Sequence, residues 1–260
     1  MIPLGVLACA RVATSTWTPS SVDGTAMWYD ASDTSTITHS GGLVSRWSDK
    51  GSLGYHLTNA TESQKPTTGA TSQNGLNVIS FGGAQSLLNF DTTSIRFLHD
   101  GTKHIIGVVA YKNTTANQGL FSTCRDGVGP VSGAWLYLPS TRLWHIITVY
   151  PLIPANNQAA GVISSTNPFV TTVAVDSTNA TAAERSAIYV GSGGAIKNNK
   201  SLESGTVVNS QPFILGSLKT SPSGYNLTGW VAEMVIISGA DATETNRKAL
   251  HTYLMTKWGL

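Results

Sequence analysis

Carboxylates are the first side chains to test for chemistry, because two of them on one face of a β-strand could cleave a glycosidic bond. The five glutamates of this chain are scattered, and the one close acidic pair, Asp30 and Asp33, lies in the turn-rich segment DASDTSTI. Glu233 interrupts an apolar run over residues 230–237. For such a residue we expect a satisfied hydrogen-bonding role rather than catalysis. The sequence therefore predicts no enzymatic activity.

A second chemical pattern is an aromatic cluster around a predicted hairpin. Trp135 and Tyr137 alternate along a strand and therefore share one face of it. Arg142 and Trp144 follow just beyond the turn Pro139-Ser-Thr. Aromatic faces beside a planar polar group could stack on a sugar ring. An aromatic pair that faces the core of a large sandwich is the alternative, and the sequence leaves both open.

The elements that must position these residues are short strands separated by Gly- and Asn-rich turns, a pattern that favours an all-β sandwich. A chain of 260 residues can form one such domain. Only 12% of its residues are charged, and the net charge of +2 is spread without a cluster. Phosphate backbones require a basic stripe, so we expect no nucleic-acid partner.

The C-terminal segment predicts a strand over residues 230–237, then a turn and a single helix. Asp241 is the predicted N-cap of this helix, with Glu244 three residues later. Apolar residues then recur at helical spacing, and Gly259 marks the stop. These residues are Leu250, Tyr253, Leu254 and Trp258.

The N-terminal segment MIPLGVLACARV is apolar and predicts an anchoring arm over residues 1–16, ahead of a domain over 17–260. A first β-strand of the sandwich is the alternative, and the sequence leaves both open. No basic residue precedes the apolar run, which argues against a signal peptide, and no stretch could span a membrane. Cys9 and Cys124 could form one bridge or stay free. The side chains expected to attach the arm to a partner are Ile2, Leu4, Val6 and Leu7.

Taken in order, several motifs resemble the concanavalin A-like, laminin-G-type jelly-roll domains of phage structural and bacterial surface proteins. They run from WYDASDTSTI and GGLVSRWSDKGSLGYHLTNA, through GLNVISFGGAQSLL and HIIGVVAYKN, to the strand–turn–helix at the end. The resemblance covers residues 28–259, with an apparent insertion at 151–168. It implies two antiparallel sheets, a last strand beside the first, and a terminal helix that covers one end of the sandwich.

The same resemblance implies two further expectations. Laminin-G domains often bind calcium through loop carboxylates, so Asp30, Asp33 and Asp49 are weak calcium candidates, although each sits where Asp also stabilises a turn. No other cofactor is expected.

The implied function is that of a non-enzymatic virion protein of a tailed phage, a minor tail or receptor-contacting component. It would touch virion proteins and host-surface glycans within a symmetric assembly. A capsid decoration protein and a secreted carbohydrate-binding module are the alternatives.

Overall fold

The computed structural model describes residues 17–123, 133–148, 159–163, 167–197, 212–218 and 225–260. The predicted arm lies outside these ranges, with its anchoring residues Ile2, Leu4, Val6 and Leu7. So do both cysteines and most of the predicted insertion.

Within the described residues the chain forms seventeen strands and one α-helix. In chain order the strands are β1 (Thr25–Asp30), β2 (Ile37–Ser40), β3 (Leu43–Trp47), β4 (Leu57–Thr58), β5 (Thr67–Gln73), β6 (Leu76–Gly82), β7 (Leu87–Asn89), β8 (His104–Lys112), β9 (Gln118–Ser122), β10 (Gly133–Leu138), β11 (Arg142–Thr148), β12 (Ala159–Val162), β13 (Phe169–Val175), β14 (Ser186–Val190), β15 (Ile196–Lys197), β16 (Phe213–Leu215) and β17 (Thr228–Ser238), and the helix is α1 (Glu244–Trp258).

The strands pair antiparallel in one curled network. As predicted, the last strand lies beside the first, with Thr25 opposite Ile237 and Asp30 opposite Glu233. The sequence predicted two separate sheets. Among the described strands, one register pair, Leu43 with Thr67, joins the set around β17 to the set around β9, so the network is continuous.

Strand β17 is covered by apolar side chains on both faces. Met234 and Ile236 belong to the apolar cluster inside the curled sheet, which also holds Phe213 of β16. Val235 and Ile237 point the other way, into a second cluster beneath α1. A strand covered on both faces favours a hydrophobic sequence, and Glu233 is the one charged residue within β17.

The helix lies where the sequence predicts it, but its N-cap is not the predicted residue. Thr243 is the N-cap, and its side-chain oxygen accepts a hydrogen bond from the backbone N–H of Asn246 at 3.2 Å. The prediction of Asp241 was wrong because Asp241 lies in the preceding 3-10 turn and accepts from the N–H of Gly24 at 2.7 Å. Gly259 ends the helix with φ of 67°, as predicted.

Helix α1 packs on the face of the sheet, against β8 and β13, rather than over one end of the sandwich as predicted. Leu250, Leu254 and Trp258 are fully buried there. Gly107 of β8 permits the close approach, because a Cβ at this position would stand 2.7 Å from Cδ2 of Leu250. Among the described helices none is long and apolar enough to cross a membrane.

Candidate functional site

The predicted hairpin is present, and it decides which way the aromatic pair faces. Strands β10 and β11 pair antiparallel across residues 139–141, with Tyr137 opposite Trp144. Ala134, Leu136 and Leu138 are buried in the interior cluster. The alternate residues Trp135 and Tyr137 are only half-buried, on the outward face. The pair therefore does not face the core.

Tyr225 extends this outward surface from another part of the chain. Its ring meets the ring of Tyr137 edge-on, at 5.8 Å between centroids and an interplanar angle of 77°. The side chain is 41% exposed. Its backbone has φ of 115°, a conformation that costs energy for a bulky residue and is concentrated at functional sites.

Backbone contacts on β9 hold Tyr225 in this place. The N–H of Gly119 donates to the carbonyl of Tyr225 at 2.7 Å. Gly119 also leaves room for Leu218, whose Cγ would stand 2.4 Å from a Cβ at this position. Leu218 and Tyr225, on either side of residues 219–224, therefore both contact Gly119 of β9. Gly119 is the register partner of Tyr137.

The remaining residues of the predicted cluster fall at the end of the hairpin. Arg142 begins β11 and is exposed. Trp144 is the register partner of Tyr137, but its side chain lies outside the described part of the structure. The indole N–H of Trp135 is buried without a hydrogen-bond partner in the described residues. We call Trp135, Tyr137, Tyr225 and Arg142 the aromatic surface.

Glu233 has the satisfied role that was expected of it. Its carboxylate is fully buried and accepts four hydrogen bonds of 2.8–2.9 Å. The donors are the indoles of Trp28 and Trp258, the hydroxyl of Tyr253 and Nζ of Lys257. Burial and the nearby Asp30 carboxylate raise the pKa of Glu233, while Lys257 and Trp258 act in the opposite direction.

Asp30 and Glu233 are a facing carboxylate pair, and Lys257 lies between them. Its Nζ is 2.7 Å from Oδ1 of Asp30 and 2.8 Å from Oε2 of Glu233. Both carboxylates are buried, with exposures of 4% and 0% in the described structure. The pair is a buried ionic network, not an open catalytic cleft.

The three weak calcium candidates are all engaged by N–H or O–H donors. Besides Lys257, Asp30 accepts from Ser32 and lies 3.5 Å from Nζ of Lys50. Asp33 accepts from Lys50 at 2.8 Å. Asp49 accepts three backbone N–H bonds of 2.7 Å. Among the described residues no cluster of three or more acidic, His or Cys side chains could hold a metal.

A groove of about 380 Å³ lies between β2 and the β5–β6 hairpin, away from the aromatic surface. Its walls are small and polar, with Thr34, His39, Thr68 and Asn77 among them. It contains no large aromatic residue, so it offers hydrogen bonds without a stacking face. The aromatic surface is the better candidate for binding a ring-shaped ligand.

Sequence reasoning missed two residues of this region. Tyr225 lies in a loop segment with no periodic signal, so nothing along the chain linked it to Tyr137. Lys112 ends an apolar strand and reads as an ordinary exposed lysine, yet it is fully buried. Only the pairing of distant strands reveals either one.

No family model and no curated protein matches this chain. Solved structures do share its fold at low identity. Domain 4 of AbnA, a GH43 extracellular arabinanase from Geobacillus stearothermophilus, was solved with arabinotriose; it matches with a TM-score of 0.54 and 12% identity, over 87% of this chain and 98% of that one. The botulinum neurotoxin serotype G binding domain matches with 0.57 and 13%, over 86% and 53%.

A sialidase from Trypanosoma rangeli, solved with sialic acid, matches with a TM-score of 0.51 and 11% identity, over 90% of this chain. This chain spans only 33% of the sialidase, and about half of the neurotoxin binding domain. At these identities the likeness establishes the fold alone, that of β-sandwich domains found in glycan-processing and toxin proteins.

Proposed function

We propose that this chain is a non-enzymatic glycan-binding protein that uses the aromatic surface of β10. The observation that carries the proposal is the outward placement of Trp135 and Tyr137, on the opposite side of the strand from Leu136 and Leu138. Aromatic residues that are not needed in the core, and that remain half-exposed beside an exposed Tyr225, are suited to ligand contact.

The chemistry of the surface fits a sugar. The apolar faces of pyranose and furanose rings pack on aromatic rings, while their hydroxyl groups need planar polar partners at the rim. The guanidinium of Arg142 provides five N–H donors in one plane, and the Tyr137 and Tyr225 hydroxyls both donate and accept. A shallow surface of this kind binds without requiring acid–base catalysis or a resident metal.

The solved structures of similar fold support this choice. The arabinanase domain was solved with arabinotriose, and a botulinum neurotoxin D/C binding domain was solved in complex with SialylT. The strand pairing, in which one register pair joins two sets of strands, also suits a concanavalin A-like jelly roll of two facing sheets. We adopt that organisation as part of the proposal.

We further propose that the protein is a virion component of a tailed phage, with its apolar arm inserted into the particle and the aromatic surface turned toward the host. This rests on the sequence resemblance and on the arm MIPLGVLACARV. A capsid decoration protein would use the same arm on a different shell. The arabinanase domain, matched over almost its whole length, favours a secreted carbohydrate-binding module as the second candidate.

A glycan array tests the binding function. We expect wild-type protein to bind a subset of immobilised arabino-oligosaccharides, sialylated oligosaccharides and bacterial surface polysaccharides. Trp135→Ala should weaken that binding at least about tenfold, equivalent to ~1.4 kcal/mol. The free energy of unfolding should stay close to that of wild type, because the ring is half-buried.

Phe90→Ala is the matched control, since Phe90 is 72% exposed on a different loop. It should leave binding unchanged. If Trp135→Ala costs several kcal/mol of stability, or if Phe90→Ala and Trp135→Ala reduce binding equally, the aromatic surface is not the binding site.

A further inference from the structure

Lys112 is a fully buried lysine at the end of β8, and the proposed ligand would not touch it. Its Nζ donates to three backbone carbonyls: those of Ala116 at 3.0 Å, Leu138 at 3.1 Å and Ser140 at 2.6 Å. An ammonium group has three N–H donors and no acceptor, so the three carbonyls satisfy it completely. In the described residues it has no ion-pair partner.

Two of the three carbonyls lie in turns beside the aromatic surface, and the third, that of Leu138, ends β10. One turn, residues 113–117, joins β8 to β9. The other, residues 139–141, joins β10 to β11. Leu138 directly follows Tyr137, and Arg142 directly follows the second turn. Ser140 has φ of 50°, in the left-handed region that non-glycine residues rarely adopt.

We infer that Lys112 is a positioning residue for the glycan-binding surface: its buried ammonium fixes the 139–141 turn and so keeps Tyr137 and Arg142 in place beside Tyr225. This inference rests on the proposed glycan function. Without the ammonium, the carbonyl of the buried Leu138 loses this donor, and the 139–141 turn is no longer tied to the end of β8.

The charge on Lys112 gives the inference a signature of its own. Burial lowers the pKa of Lys112 from its ordinary 10.5 to about 8. Neither turn contains a titratable side chain, and Tyr111, Tyr137 and Arg142 are the other titratable or charged residues that flank them. At pH 7, below this pKa, the group is an ammonium and donates to all three carbonyls.

The test compares Lys112→Met with Lys248→Met in the full chain. Lys248 is a control because its side chain is 69% exposed on α1. At pH 7, Lys112→Met should lower the hydrogen-exchange protection of the amides at residues 140–142 by about tenfold or more, as expected when charged hydrogen bonds are lost. Its affinity for the array glycan that binds wild type best should fall by a similar factor. Lys248→Met should change neither.

A second measurement on wild type keeps the inference testable should Lys112→Met fail to fold. The lysine Cε resonances, followed by NMR against pH, should show one lysine that titrates near 8. Titration of every lysine near 10.5, or wild-type protection of residues 140–142 in Lys112→Met, would overturn the inference, as would full glycan affinity in that variant. A blank array for wild type overturns the glycan function alone, because the exchange and titration experiments need no ligand.

Discussion

Lys257 compensates the negative charge of the two buried carboxylates, Asp30 and Glu233. It is the only lysine within hydrogen-bond distance of both Asp30 and Glu233 in the described structure, and its side chain is 17% exposed. Bonds from Lys257 and Ser32 outweigh burial at Asp30, so the pKa of Asp30 lies below its usual value. Glu233 therefore depends on Lys257, and Asp30 depends on Lys257 with a longer contact to Lys50.

Replacing Lys257 by Met should lower the free energy of unfolding by about 3–5 kcal/mol, because removing one partner leaves buried charge uncompensated. Urea denaturation measures the loss. Lys248→Met on the same helix should stay within about 0.5 kcal/mol of wild type. Equal effects from the two variants would contradict a structural role for the Lys257 network.

For single residues, the sequence predicts the role of a side chain better than it predicts which residues contact that side chain. The position of Glu233 in an apolar strand predicts that its carboxylate must be satisfied. Its donors come from β1 and α1, which no local pattern connects to it. Likewise, the alternation of Trp135 and Tyr137 predicts a shared face, but only the burial of Leu136 and Leu138 shows that this face is the outward one.

Helix α1 has the buried apolar stripe that the sequence predicts, although the stripe covers a face of the sheet and not one end of the sandwich. Leu254→Asp places a charge against β8 and β13, where the leucine is fully buried. We expect it to unfold the domain or to lower the melting temperature sharply, since an unpaired charge in an apolar site is strongly unfavourable. Thermal unfolding followed by circular dichroism measures this.

Thr252→Asp is the control for Leu254→Asp, because Thr252 is exposed on the same helix. It should melt close to wild type. A Leu254→Asp protein that melts like Thr252→Asp would show that the helix does not contribute to the core.

Element boundaries were predictable where a local signal stands alone and not where two signals compete. The turn Pro139-Ser-Thr and the stop at Gly259 have no rival nearby, and both were correct. Asp241 and Thr243 can each cap a helix. The choice of Thr243 follows from Gly24, whose N–H occupies the Asp241 side chain from across the fold.

For the whole molecule, the proposal separates an attachment segment from a recognition domain. Deleting residues 1–13 should leave the domain folded, because the described residues from Trp17 onward already form two apolar clusters by themselves. The truncated protein should be absent from purified particles when it replaces wild type, as judged by immunoblot. Particles that retain the truncated protein would exclude attachment through the arm.

Overall topology was predictable in part. The pairing of the last strand with the first follows from the ordered motifs and was confirmed. That all described strands form one network depends on a single contact, Leu43 with Thr67, in polar hairpins with no distinctive pattern. Single long-range contacts of this kind leave no trace in sequence periodicity.

The central claim is that glycans bind on the outward face of β10. The most direct test is NMR titration of the full chain with the oligosaccharide that binds best on the array, following the aromatic and indole resonances. The account predicts that the largest shifts fall on Trp135, Tyr137 and Tyr225. Shifts confined to the polar groove around His39 and Asn77, with the aromatic surface unperturbed, would contradict it.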